Sequence, residues 1–244
     1  MKQNQYYISQ EGKLIKDLEA FLKLILPKLI EEHDERKAME IYNDTLREYK
    51  KLISQLPYIG GKENRLTSNL IQASWGLALY RTILIYGGTV EQAGELITRG
   101  FEMKLNKIPT FLRHLMGKLM FFKRNVAKMK KRAEISQLRE YPCDWVWHVF
   151  EGDRNVFDVG IDYTECGIEK FIHSQGADEL IPYLCNLDYV LFGKLGIELI
   201  RTKTLAWGCD CCDFRIKKNG TPSSAWPPQF LEKTCDNKMD QHIK

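Results

Sequence analysis

The sequence predicts an α+β fold, a helical N-terminal half followed by a small antiparallel sheet with inserted helices. Three observations predict it. Apolar residues recur at helical spacing from Lys13 to about Leu138. After Tyr141 the texture changes to alternating aromatic and β-branched residues, the pattern of half-buried strands. Helical spacing then returns from Gly167 to about Gly196 before a last alternating stretch. Helices grouped ahead of a short sheet are the order expected of an α+β chain.

In order along the chain, "GKLIKDLEAFLKLILPKLIEE" sets Leu14, Leu18, Phe21, Leu22 and Ile25 on one helical face, with charge on the other. Pro27, which has no N–H to donate, is expected to kink or break this run. "LPYIGGKENR" (56–65) reads as a loop from its Pro and paired Gly. "SNLIQASWGLALYRTILIYGG" (68–88) reads as a buried helix, with Ser68 or Asn69 as N-cap and Gly87-Gly88 as the stop. Trp75 and Tyr80 on it are assigned to core packing ahead of lining a ligand pocket. Thr89 is placed as the N-cap of the next helix. No period of 20 to 50 residues repeats, which argues against a solenoid.

Residues 111–141 read as one long helix with a basic block from Lys123 to Arg132. The reading adopted puts its apolar face in the core and its cations in water. The competing one lays Phe121, Phe122 and the cations on an anionic membrane or on RNA. "CDWVWHVFEG" and "NVFDVGIDYTEC" then read as a hairpin, with His148 a half-buried strand residue. Gly176 breaks the helical stretch that follows, and "IELIRTKTLAWGCDCCDFRIKK" reads as two strands around a turn near Trp207-Gly208. Residues 219–244, rich in Pro and Ser, are expected to form a loosely ordered tail. This gives a helical region at 1–140, an α+β core at 141–218 and the tail, expected as one structural unit. The helical region would cap a pocket or build a homodimer.

Composition narrows the function. A 244-residue chain with 44% hydrophobic and 28% charged residues is ordinary globular material. A net charge of +4, from 36 basic and 32 acidic residues, is no nucleic-acid footprint. The first residues, "MKQNQYYISQEGK", lack the apolar core of a signal peptide, and Lys and Pro interrupt the apolar runs before they could span a membrane. Seven cysteines without such a signal are expected to be free thiols in a cytoplasmic protein. Cys209, Cys211 and Cys212 form C-x-C-C, which lacks the paired spacing of a zinc ribbon or finger.

Four stretches concentrate reactive side chains: Thr164-Glu165-Cys166-Gly167, Cys185-Asn186-Leu187-Asp188-Tyr189, Arg201-Thr202-Lys203-Thr204 and Cys212-Asp213-Phe214-Arg215. Cys185 and Asp188 lie three apart on an expected helix and share a face. Cys166 falls where a strand gives way to a helix, a position where free N–H groups lower a thiol's pKa.

The segment from about 145 to 216 resembles the L-2-amino-thiazoline-4-carboxylic acid hydrolase family. T-E-C-G, C-x-x-D-Y, R-T-x-T-L-A-x-G and C-D-F-R elements stand in order, while the helical half is similar only in general character. The resemblance implies an enzyme that opens a small cyclic amidine by C–N hydrolysis, with no redox cofactor; whether a divalent metal assists is left open. The same stretch resembles, more distantly, the vinyl-reductase-type domain, which implies helices around an antiparallel sheet binding a small molecule. Some sensors of that type hold zinc through a Glu and three Cys. Two of those positions fall at about Arg201 and Thr204 here, so the resemblance implies a metal pocket replaced by Cys166, Cys212, Arg201 and Thr204.

On these grounds Arg201 is expected to hold a substrate carboxylate, supported by Thr204 and Tyr189, with Cys212 facing Cys166. Cys166 or Cys185 would attack the amidine carbon, and Asp188 or Glu165 would move protons. Attack by water with Asp188 as base is the non-covalent alternative. Asp213 and Arg215 are expected as a salt-bridged rim, and Cys209 and Cys211 at a turn or in solvent. Two other classes compete: an acyl-transfer or cyclisation enzyme using the same Cys, and a binding module without turnover.

Overall fold

The computed structural model describes residues 5–224 and 226–228, so most of the expected tail lies outside the described residues. The fold is α+β, with helices concentrated in the N-terminal half and one four-stranded antiparallel sheet. The chain forms two compact units. The first comprises residues up to Lys107 together with Lys170–Leu184; the second comprises Ile108–Glu169 and the chain from Cys185 onward.

In the first unit a short helix α1 (Gln5–Ile8) precedes α2 (Glu11–Glu32), α3 (Glu35–Ile53), α4 (Thr67–Ile85) and α5 (Val90–Asn106). The four long helices pack as a ring, α2 on α3, α3 on α4, α4 on α5 and α5 on α2. Pro27 does not break α2. It lies on the exposed face beside exposed Lys23, so water can take up the carbonyl that loses its partner. α4 begins at Thr67, ahead of the expected caps Ser68 and Asn69. The preceding turn supplies the order there instead: Asn64 Oδ1 accepts from the Leu66 N–H, and the Thr67 hydroxyl donates to the Gly61 carbonyl. Thr89 caps α5 as expected, in a reciprocal capping box with Gln92.

α4 is apolar on nearly every side because Lys170–Leu184 also packs against it. Leu184 meets Gly76, Arg81 donates to Gln175, and the Tyr80 hydroxyl donates to Glu179. Trp75 and Tyr80 are both buried, and Trp75 also borders a cavity of about 630 Å³.

The second unit opens with α6 (Thr110–Met120) and α7 (Lys123–Ser136), two helices where one was expected. Asn125 of α7 donates its side-chain amide to the Leu119 carbonyl, supplying from outside the bond that a continuous helix would have made. β1 (Val146–Glu151) and β2 (Val159–Glu165) form the expected antiparallel hairpin; His148, opposite Asp162, is exposed and not half-buried as expected. α8 (Gly167–Ser174), a 3₁₀ turn at Asp178–Leu180, α9 (Ile181–Leu195), β3 (Glu198–Ile200) and β4 (Cys212–Lys217) complete the chain. It leaves the second unit within α8, after Glu169, and returns within α9 at Cys185.

β4 lies between β2 and β3, giving the order β1-β2-β4-β3. α7 packs on β1. Phe192, Leu195, Ile197, Leu199, Phe214 and Ile216 are among the buried side chains that join α9 to the sheet. Among the described residues no helix is long and apolar enough to cross a membrane.

Candidate active site

All eight candidate residues belong to the second unit, and most converge at one end of its sheet. Cys166 is the single residue between β2 and α8. Gly167 makes that junction possible: a Cβ there would lie 2.5 Å from the Cys143 carbonyl oxygen and 2.7 Å from the Trp145 ring. α9 presents Cys185 and Asp188 one turn apart. Arg201 follows β3 directly, and Cys212 opens β4 opposite Tyr163 of β2.

Arg201 is the hub. Its Nη1 donates to the Cys185 carbonyl at 3.1 Å and to Asp188 Oδ2 at 3.2 Å. The guanidinium lies over the Phe214 ring, 4.3 Å from its centroid. Its side chain is 1% exposed, whereas that of Asp188 is 38% exposed, so the carboxylate connects this buried charge to solvent. The Thr204 hydroxyl lies between two thiols, 3.5 Å from Cys212 Sγ and 4.0 Å from Cys185 Sγ. Its oxygen also accepts from the Ala206 N–H, starting the turn at Leu205–Trp207. The Leu205 N–H donates to Cys212 Sγ at 3.2 Å.

Burial dominates the electrostatics. It pushes the Cys166 thiol well above the ordinary thiol range, and neighbouring Cys185 and Cys212 push the same way. The N–H groups of Glu169 and Ile168, at the start of α8, pull it down by less. The helix terminus expected from sequence is therefore present, but burial outweighs its effect. Burial likewise raises Cys185 to about 12, against the pull of Arg201. Asp188 rises to about 6 through burial, again opposed by Arg201. Burial works against the charge on Arg201, but its neighbours Cys185, Asp188, Cys212 and Tyr189 together outweigh it, so the guanidinium pKa is raised above its usual range. Burial also raises the phenols of Tyr189 and Tyr163.

The remaining residues fall elsewhere. Glu165 pairs with Arg139 at 2.7 Å. Asp213 and Arg215 do not form a rim together. Arg215 pairs instead with Asp162 of β2 at 2.6 Å, and Asp213 is engaged by the backbone after β3. Asp213 is buried, and its Oδ1 accepts from the N–H groups of Thr202 at 2.8 Å and Lys203 at 2.6 Å. Its Oδ2 accepts from the Thr202 hydroxyl at 2.6 Å. It thus fixes the backbone between Arg201 and Thr204, a positioning role that sequence reasoning missed although C-D-F-R had been singled out. Cys209, next to the turn at Gly208, is buried and disulfide-bonded, which corrects the expectation that every thiol is free. Cys143, Cys166, Cys185, Cys211 and Cys212 are free. Cys211 is half-buried, and burial raises its thiol to about 12.

Among the described residues no three His, Cys, Asp or Glu side chains are arranged to hold a metal ion. The site offers instead a buried cation, a carboxylate at the solvent edge, three thiols and a hydroxyl. No curated protein and no solved structure matches the chain. A family model described as L-2-amino-thiazoline-4-carboxylic acid hydrolase matches residues 72–216, from α4 to β4. It covers every candidate residue and more than half of the 244 positions, so the chain belongs to the L-2-amino-thiazoline-4-carboxylic acid hydrolase family.

Proposed function

We propose that the protein hydrolyses a small cyclic amidine carrying a carboxylate, such as 2-amino-thiazoline-4-carboxylate. The observation that carries this reading is the buried Arg201, paired with Asp188 at the solvent edge and standing among Cys166, Cys185, Cys212 and Thr204, inside the family match. Arg201 supplies the fixed positive charge for the substrate carboxylate, with Thr204 and Tyr189 in support. To receive it, the guanidinium exchanges its contact with Asp188 for the substrate, which frees Asp188 for the cationic amidine and for proton transfer.

In the covalent route Cys166, or Cys185, gives its proton to Asp188 as its sulfur bonds to the amidine carbon. The ring C–N bond breaks, and the nitrogen leaves as an amine carrying that proton. Water then adds to the same carbon and displaces the sulfur, which recovers a proton as thiol. The raised thiols favour a second route, in which Asp188 as carboxylate deprotonates a water that attacks the carbon directly.

Mass spectrometry of the product, with intact-protein mass of wild type, Cys166→Ala and Cys185→Ala, tests both. A ring-opened product lost in one alanine variant, with a trapped adduct on wild type, supports the covalent route. Product persisting in both variants but falling about 10²–10⁴-fold in Asp188→Asn supports attack by water. A product bearing a free thiol in place of a free amine would move the cleavage from C–N to C–S. No turnover of any cyclic amidine would overturn the reading.

A further inference from the structure

α6 is packed inside out. Its inward face carries Arg113 and Gly117, both buried, and Gly117 lies so close to the Leu195 carbonyl that a Cβ would meet that oxygen at 2.4 Å. Its outward face carries Phe111 (70% exposed), Leu112 (38%), Leu115 (50%), Met116 (50%) and Leu119 (39%). At 3.6 residues per turn these five span about 140° of the helix surface. Phe122, 58% exposed, continues the stripe at the start of α7. The sequence reading put this apolar face in the core and the cations in water. The cations are in water, but so is the apolar face. Contiguous exposed apolar surface of this kind marks an interaction site.

The charge beside it identifies the partner. Lys118, Lys123, Arg124, Lys128, Lys131 and Arg132 are exposed along the same two helices. Glu134 is the only acidic residue between positions 108 and 138. A large apolar stripe flanked by cations is the pattern of a helix that lies in the headgroup region of an anionic bilayer. A second copy of this chain fits less well, because a two-fold interface on this face would bring two blocks of like charge together. RNA also fits less well: four of the five stripe residues on α6 are aliphatic or Met, which give bases no ring to stack on.

We propose that α6 and the start of α7 dock the protein on an anionic lipid surface, with Phe111, Leu115, Leu119 and Phe122 entering the interface and the cations meeting the headgroups. The proposal is independent of the catalytic reading, since none of these residues belongs to the candidate active site.

The test is flotation of the full-length protein with vesicles of phosphatidylcholine alone or with about one-third phosphatidylserine. The protein is expected to float only with the anionic vesicles, with binding falling about tenfold or more between about 0.1 M and about 0.5 M salt. Leu115→Ser with Phe122→Ser should abolish flotation while lowering the melting temperature only slightly, since half or more of each residue's surface is already exposed. Lys123→Gln with Arg124→Gln should weaken it and flatten the salt dependence. Equal binding to neutral vesicles, no binding, or undiminished binding by the serine variant would overturn the proposal. So would a dimer in solution that the serine variant converts to monomer, which would make the face a contact between copies. Retention of a poly(U) probe in preference to the vesicles would assign the face to RNA instead.

Discussion

Asp213 accepts three hydrogen bonds from two consecutive residues, and the segment it fixes runs from Arg201 to Thr204. In Asp213→Ala two N–H groups lose their acceptor, at about 1–3 kcal/mol each where they stay buried. A loss of about 2–4 kcal/mol in thermal unfolding is expected, together with a large fall in turnover, because Arg201 and Thr204 are no longer held in register. Asp213→Asn keeps an oxygen for both N–H groups and should recover most of the stability, which separates positioning from a need for charge. Asp188 is the opposite case, since its value lies in titration. Its folded pKa of about 6 lies above the roughly 4 of an unfolded Asp, so between those values the native state binds more protons than the unfolded one. Its contribution to stability is therefore complete below about pH 4 and is lost as pH rises through about 6. Activity runs the other way: a carboxylate acting as base gives kcat/KM an acidic limb with a midpoint near 6. Asp188→Asn should remove that limb and flatten the stability profile between pH 4 and 6; a limb that persists in the variant would assign it to another group. Four motifs in order were legible in the sequence, and so was the grouping of Cys185 with Asp188. The raised pKa of Cys166 was not, because burial depends on β4 and α9, residues far from it in the chain.

At the scale of elements, local signals were legible where the local chain decides the outcome. The capping box of Thr89 and Gln92 needs only four consecutive residues, and both hairpins follow from alternation. What sequence could not supply is a partner from elsewhere. The division of 111–141 depends on Asn125 reaching the Leu119 carbonyl and on Leu195 lying against Gly117, and the insertion of β4 between β2 and β3 leaves no local trace. The strand-to-helix junction at Cys166 shows both kinds of information at once. Its position could be read directly, but the need for glycine beside it comes from the Cys143 carbonyl and the Trp145 ring. Gly167→Ala would push a Cβ into both, and relief requires α8 or the Cys143–Trp145 segment to move. A loss of about 1–3 kcal/mol is expected in denaturant unfolding, as for other overpacked sites. Reactivity of the Cys166 thiol toward a small alkylating reagent should change with it, because displacement of α8 alters both the burial of that sulfur and the N–H groups behind it. Unchanged stability would mean that the close approach is not a constraint.

On the scale of the whole molecule, neither unit is a continuous stretch of chain. The first is closed by Lys170–Leu184, whose buried side chains include Phe171, Ile172, Leu180, Ile181 and Tyr183. Tyr183 lies against Gly94 so closely that a Cβ there would meet the ring at 2.1 Å, and Arg81 reaches both the carbonyl and the side chain of Gln175. Burying a large apolar side chain contributes about 1.5–3 kcal/mol, so five of them contribute on the order of 10 kcal/mol. That is comparable with the whole stability of a typical domain, about 5–15 kcal/mol. A fragment ending at Lys107 should therefore fail to fold, although it contains all four helices of the ring and the capping box of α5. The expected result is reduced helical circular dichroism and a broad, non-cooperative melt, against a cooperative melt for the full chain. Against this, α2–α5 already form a closed ring, an arrangement that folds unaided in many helical bundles. α4 decides between the two. Its apolar residues extend around the helix beyond what α3 and α5 cover, and in the fragment the face that meets Leu184 and Gln175 would be exposed to water. A fragment that melts cooperatively near the temperature of the full chain would show that the ring is self-sufficient and that Lys170–Leu184 adds little to it.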